Sequence, residues 1–355
     1  MQSNFTRRLS WLGILALPLS FFTLALAAPD SRPATSPVRS GSRPATVKVA
    51  AIQCSSDLGE VEANRAKLTA LVEQAARQGA KIIVLPEAAV TGYLSQDLKT
   101  NWQVPGRPIE NVFTGKDPAG FAEPVPGPST RHFGALAKKL GVYITVPLVE
   151  VAQAFSLCPS SQESQAKSLC HTVEVAQAFS LCPSSQESQA KSLCHTAPAQ
   201  PVYYNTVCLV GPTGEIVAHY RKLTPWPYPE KSWATPGDRG VQTYDTEYGR
   251  VGLAICYDIH TILEKYEPEH LWALLYPIAW VDQDHPADWF FHQLPPRIAA
   301  AKFYLVGANW SVDEPQTWRG YGFSEILAPD GEILASSHKL YGSDIIYATI
   351  PTAPR

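Results

Sequence analysis

Apolar and polar positions along this chain follow two periods. Val47–Cys54 (VKVAAIQC) is a short, apolar, β-branched run of strand length. Glu60–Gln78 then sets Leu68, Leu71, Val72, Ala75 and Ala76 on one face at helical spacing, with acidic residues crowding its start, and stops at Gly79. Lys81–Leu85 is apolar again, so strand, helix and strand follow one another and predict a parallel βαβ unit. A strand apolar on both faces is expected in a sheet that is covered on both sides.

After a loop-rich stretch (94–125), Ser129–Leu140 reads as a helix closed by Gly141, and Val142–Leu148 as a strand. Tyr203–Val210, the turn Pro212-Thr213-Gly214 and Glu215–Tyr220 read as a hairpin that ends in Arg221-Lys222. Residues 250–256 read as a buried strand ending at Cys256. Leu271–Ile278 and Phe303–Ala308 are further buried strands, with helical residues between them that Pro295-Pro296 should interrupt. Phe323–Leu327 and Glu332–Ala335 flank Pro329-Asp330-Gly331 as a last hairpin, and Asp344–Ile350 is the final strand.

The ends differ from the middle. Arg7-Arg8, the apolar run Leu12–Leu26 and the small-residue pattern Ala25-Leu26-Ala27 predict a signal peptide over 1–27, cut after Ala27. Its apolar core is shorter than the roughly 20 residues a bilayer span needs. Residues 28–46, rich in Pro, Ser, Arg and Thr without periodicity, are expected to be a flexible tether, leaving one folded body over 47–352. The mature protein is then secreted or periplasmic, and no later segment is long and apolar enough for a membrane span.

One stretch is repeated without a change. Val149–Thr172 reads VEVAQAFSLCPSSQESQAKSLCHT, and Val173–Thr196 is identical. Two perfect copies do not suit a solenoid, whose repeats diverge and number three or more. A duplicated loop insertion at 149–196 fits better, since long surface loops cost little. Four of the seven cysteines lie in it, and disulfides Cys158–Cys170 and Cys182–Cys194 are expected, with pairing across the copies open.

Composition narrows the chemistry. Hydrophobic residues make up 45% of the 355 and charged residues 17%, enough for a large core. The net charge of −3, without a basic patch, excludes a nucleic-acid footprint. There is no C-x-x-C, no H-x-x-x-H and no Gly-rich phosphate loop, so no metal and no cofactor is expected.

Three chemically useful residues each close a strand: Glu87 after VLP, Lys222 after VAHYR and Cys256 after GLAI. Acyl transfer to sulfur needs a nucleophile, a base for its proton and a cation for the charge that develops. These residue types supply all three without a histidine.

Leu85-Pro86-Glu87-Ala88-Ala89-Val90-Thr91-Gly92-Tyr93, Tyr220-Arg221-Lys222-Leu223-Thr224-Pro225-Trp226 and Ile255-Cys256-Tyr257-Asp258 resemble the three motifs of the nitrilase (carbon–nitrogen hydrolase) superfamily. The resemblance implies an α/β fold, a four-layer α-β-β-α sandwich, and a homodimer formed through a helical face. It implies Glu87 as base, Lys222 as cation, Cys256 as nucleophile and Glu230 as a second positioning glutamate. The backbone N–H of Tyr257 would belong to the oxyanion hole, and Tyr93, Trp226, Trp280 and Trp310 are candidates for the pocket wall. The implied substrate is a small-molecule amide, cleaved through a cysteine thioester to an acid and ammonia or an amine. Cys256 is followed by Tyr-Asp, as in many amidases, but Ile-His-Thr-Ile-Leu departs from their usual Arg-Phe-Pro-Glu and leaves the substrate open. Nitrile hydrolysis and a non-catalytic interaction protein on the same scaffold are the alternatives. Ile255–Ile259 and Tyr276–Trp280 are similar to the exported biotinidase and pantetheinase branch. Asn309-Trp310-Ser311 has the form of a glycosylation sequon, but adjoins a buried strand and is not expected to be used.

Overall fold

The computed structural model describes residues 44–93, 118–153, 201–227, 230–279, 287–311, 322–339 and 341–354. The expected leader, most of the tether, most of the duplicated segment with its four cysteines, and Trp280 lie outside the described residues.

Two six-stranded sheets form the body. The first contains β1 (Thr46–Gln53), β2 (Ile82–Val84), β3 (Tyr143–Gln153), β4 (Pro201–Val210), β5 (Ile216–Arg221) and β12 (Asp344–Pro351), in the order β12-β1-β2-β3-β4-β5. The second contains β6 (Thr243–Asp245), β7 (Arg250–Leu253), β8 (Ala273–Pro277), β9 (Tyr304–Ala308), β10 (Glu325–Leu327) and β11 (Ile333–Ser336), in the order β11-β10-β9-β8-β7-β6. Helices α1 (Val61–Arg77) and α2 (Pro128–Leu140) belong to the first half, and α3 (Leu294–Ala301) to the second. As expected, β1 and β2 pair in parallel; β2–β3, β7–β8 and β8–β9 are parallel as well.

The two-residue period of a strand builds the layers. Val49, Ala51, Ile82 and Val84 point into one core with Leu253, Leu274 and Val306 of the other sheet. Their neighbours Ala50, Ile52 and Ile83 point the other way and pack with Leu68 and Val72 of α1 and Phe133 and Ala137 of α2. Leu294 and Ile298 of α3 join the core that includes the second sheet. This is the α-β-β-α sandwich that the family resemblance implies. None of the described helices is long and apolar enough to cross a membrane.

Three local expectations change. Strand β3 runs on to Gln153, because Val149–Gln153 pair with Asn205–Pro201 of β4. The first residues of the duplicated unit, Val149–Gln153, are therefore strand. Pro295-Pro296 does not break a helix. The two prolines open α3, directly after a π-helical turn Trp289–Gln293, where a missing N–H matters least. Residues 250–256 are strand only to Leu253, and Cys256 opens a 3₁₀ turn, Cys256–His260.

Candidate active site

Glu87 lies three residues past the end of β2, beside Ala88, whose φ of +48° folds the chain back sharply. Its backbone is held from both directions: its N–H donates to Ile278 O at 3.3 Å, and Trp310 Nε1 donates to its carbonyl at 2.7 Å. The side chain is fully buried. Oε1 accepts from Lys222 Nζ and from Asn205 Nδ2, each at 2.7 Å. Oε2 is buried and takes no hydrogen bond among the described residues.

Lys222 follows β5 directly. Its N–H donates to Asn205 O, and its carbonyl accepts from Gly237 N, both at 2.8 Å. Position 237 has to be glycine for this approach, since a Cβ there would sit 2.1 Å from Arg221 O. The Lys222 ammonium also bonds Glu230 Oε2 at 2.7 Å, and the same oxygen takes the Trp226 N–H at 2.7 Å. Glu230 lies in a 3₁₀ turn, Glu230–Ser232, and is fully buried rather than an exposed charge. Asn205 completes the cluster by donating to both glutamates.

Next to Lys222 in the chain, Arg221 is clamped by a third buried carboxylate. Glu150, on the part of β3 that belongs to the duplicated unit, accepts from Arg221 Nε at 3.1 Å, from Thr206 Oγ1 at 2.6 Å and meets His219 Nε2 at 2.8 Å. Arg221 Nη1 holds both oxygens of Asp238, at 2.9 and 3.0 Å, and its guanidinium lies 3.9 Å over the Tyr204 ring. Burial works against the Glu150 charge, but the His219 and Arg221 hydrogen bonds outweigh it and bring its pKa down to about 2.

Cys256 sits at φ +43°, a conformation that L residues adopt only where surrounding structure enforces it. The enforcement is visible. Asp258 Oδ2 accepts from Ile255 N–H at 3.1 Å and from Tyr220 Oη at 2.6 Å, while Oδ1 accepts from Thr224 N–H at 2.9 Å. One carboxyl thus ties the turn carrying Cys256 to the segment flanking Lys222. Tyr276 Oη adds a bond to the Cys256 carbonyl at 2.7 Å. Burial pushes the Asp258 carboxyl up to about 7, against the pull of Lys222 and its hydrogen bonds.

The electrostatics connect the three strand ends. Burial and then the Glu87 charge push the Cys256 thiol well above its ordinary range, opposed by the Lys222 ammonium and by the Ala279 N–H. Burial also raises Glu87, against Lys222 and with the like charge of Glu230. Burial disfavours the Lys222 ammonium, but Glu230 and Glu87 outweigh it and keep it charged. Such a set holds a protonated thiol beside a carboxylate with a free oxygen and a permanent cation. It can move one proton from sulfur to oxygen without building net charge in a buried site.

The remaining expected residues divide. Tyr93 and Trp310 are buried in one cluster with Ala88 and Ala279. Trp226 contributes its backbone N–H to Glu230 rather than a ring bond. Tyr257 is half-buried, its ring centroid 5.2 Å from that of His260. Asn309 of the sequon is fully buried and donates Nδ2 to Gly322 O at 2.7 Å, so it presents no acceptor nitrogen. Asn205 lies outside the three motifs, and Asp258, though it closes the third, gains its role only from partners in other segments. Asn205 does leave a trace, as a polar residue inside the strand PVYYNTVCLV. No group of three or more His, Cys, Asp or Glu side chains suited to a metal occurs among the described residues.

The family model described as carbon–nitrogen hydrolase matches residues 48–353. The omega-amidase of Homo sapiens is 25% identical over 284 residues, spanning 77% of this chain and 78% of that protein. The omega-amidase of Bos taurus is 26% identical over 318 residues, spanning 86% and 89%. Among solved structures, a nitrilase-superfamily amidase from Nesterenkonia AN1 superposes with a TM-score of 0.58 at 16% identity, covering 88% of this chain and 94% of that one. Saccharomyces cerevisiae Nit3, of branch 10 of the nitrilase superfamily, gives 0.57 at 20% identity, covering 86% and 90%.

Proposed function

We infer that this chain, which belongs to the carbon–nitrogen hydrolase family, cleaves the C–N bond of a small non-peptide amide with Cys256 as nucleophile. The observation that carries the reading is the buried Lys222 ammonium, 2.7 Å from Glu87 and 2.7 Å from Glu230, beside a thiol whose ionisation responds to both Glu87 and Lys222. The relatives' names, omega-amidase and amidase, add support for an amide over a nitrile.

In this mechanism Glu87 takes the thiol proton as Sγ attacks the carbonyl carbon. The oxygen that becomes negative is stabilised by Lys222 and by backbone N–H groups, among them that of Tyr257. The tetrahedral adduct collapses, the C–N bond breaks, and Glu87 returns its proton to the departing ammonia or amine. A water then gives a proton to Glu87 and attacks the thioester. The acid leaves as the C–S bond breaks, and the proton returns to sulfur. Glu230 and Asn205 position Lys222 and Glu87.

Ammonia release from a panel of amides and nitriles tests the reading, with Cys256→Ala as control. Turnover of amides that vanishes in Cys256→Ala, at unchanged circular dichroism, is expected; residual turnover in that variant overturns the mechanism. On the strength of Arg7-Arg8 and the apolar run to Leu26, the enzyme is taken to act outside the cytosol. N-terminal sequencing of exported protein should begin at Ala28, and a cytosolic full-length product would refute this.

A further inference from the structure

Three residues past Glu230, Trp233 donates its backbone N–H to the Glu230 carbonyl at 3.1 Å. Its partly buried ring packs, with Tyr341, against the cluster of Ala88, Tyr93, Ala279 and Trp310. That cluster borders the reacting groups: Ala88 follows Glu87, Trp310 holds the Glu87 carbonyl, and the Ala279 N–H bonds the Cys256 sulfur. Every one of these six side chains is uncharged. The Trp233 indole nitrogen is buried and has no acceptor among the described residues, the same state as Glu87 Oε2. Buried polar atoms are nearly always paired, and one left unpaired at a site is best explained by what the site binds.

We propose that Trp233 selects the substrate, its indole N–H donating to an acceptor on a neutral, flat acyl group, as in a heteroaryl carboxamide, held against the uncharged cluster. The inference rests on the amide reading above. It also disfavours an acyl chain that ends in a carboxylate. Such a charge would be buried against apolar rings, and the ammonium of Lys222 is already shared by two carboxylates.

The test compares kcat/KM of the mature protein and of Trp233→Phe on benzamide and on its three pyridine analogues, picolinamide, nicotinamide and isonicotinamide. A ring nitrogen adds an acceptor at almost constant shape. It also activates the carbonyl, but equally in both proteins, so the readout is the ratio between them. In the wild type at least one pyridine amide should exceed benzamide by about tenfold, the size of one buried hydrogen bond, and Trp233→Phe should bring that ratio below about threefold while sparing benzamide. Equal ratios in the two proteins overturn the proposal, as does an indole already satisfied by another part of the chain, which would show as an equal loss on all four. A second comparison needs no variant: a wild-type preference for succinamic acid over butyramide also overturns it. Hydrolysis of no amide at all refutes the amide reading, whereas aliphatic turnover with equal ratios refutes only the role of Trp233.

Discussion

Lys222 Nζ lies 2.7 Å from Glu87 Oε1 with both side chains at 0% exposure, and the same nitrogen lies 2.7 Å from Glu230 Oε2. One cation therefore compensates two carboxylates that are buried with it. The stability of that region and its chemistry depend on the same atom.

Removing the cation leaves two like charges buried with no counter-charge, only the hydrogen bonds of Asn205 and the Trp226 N–H. Lys222→Met should cost about 3–5 kcal/mol of stability as well as activity. Adding Glu230→Gln to that variant removes one of the stranded charges and should recover part of the stability but none of the turnover. Urea unfolding of the single and double variants checks both statements. A single variant as stable as the wild type would show that the charges are hydrated.

The base must be unprotonated to act, and burial raises Glu87 above its ordinary value of 4.5. The rate kcat/KM should thus fall as pH drops through a midpoint above 4.5. Glu87→Gln should lose roughly 10²–10⁴-fold and lose this acid limb with it. An acid limb at or below 4.5 in the wild type would count against Glu87 as the base.

Glu325, the first residue of β10 in the second sheet, is buried with neither oxygen bonded among the described residues, and burial raises its pKa to about 9 from 4.5. A raised carboxyl contributes fully below the unfolded value and less as pH climbs toward the folded one. Near pH 7 the loss is about 3 kcal/mol. Glu325→Met should therefore stabilise the protein at pH 7 and flatten its loss of stability between pH 5 and 9. Glu150, held down at about 2, works in the opposite sense: its contribution is present above 4.5 and disappears as pH falls toward 2. Glu150→Gln should remove that acid dependence. Denaturation curves at pH 3, 5, 7 and 9 separate the two.

Deleting one copy of the duplicated unit, residues 173–196, keeps Val149–Gln153 as the end of β3. It roughly halves the connection to β4, which is worth about 0.6 kcal/mol in loop entropy. The shortened protein should keep its activity within about twofold and melt about 1–2 °C higher. A collapse in activity or stability would assign the second copy a structural role.

The local pattern along the chain determined much of this molecule. The βαβ start and the buried strands are written in short-range periodicity, because strand and helix periods depend on neighbouring residues alone, whereas the stop after Leu253 is not, since the apolar pattern runs on to Cys256. Glu87, Lys222 and Cys256 stand out in the same pattern: each is a reactive side chain closing a strand-like run. Tertiary structure decided what surrounds them. Glu230 has the sequence context of a solvated charge beside Lys231, and only packing buries it onto Lys222. Asn205, Asp258 and Trp233 acquire their positions from partners far along the chain, as when Asn205 bridges Glu87 and Glu230. The reach of β3 into the repeated segment was likewise set by its pairing with β4. A motif records residues adjacent in sequence; burial and hydrogen-bond partnership are properties of segments that meet only once the two sheets have closed on each other.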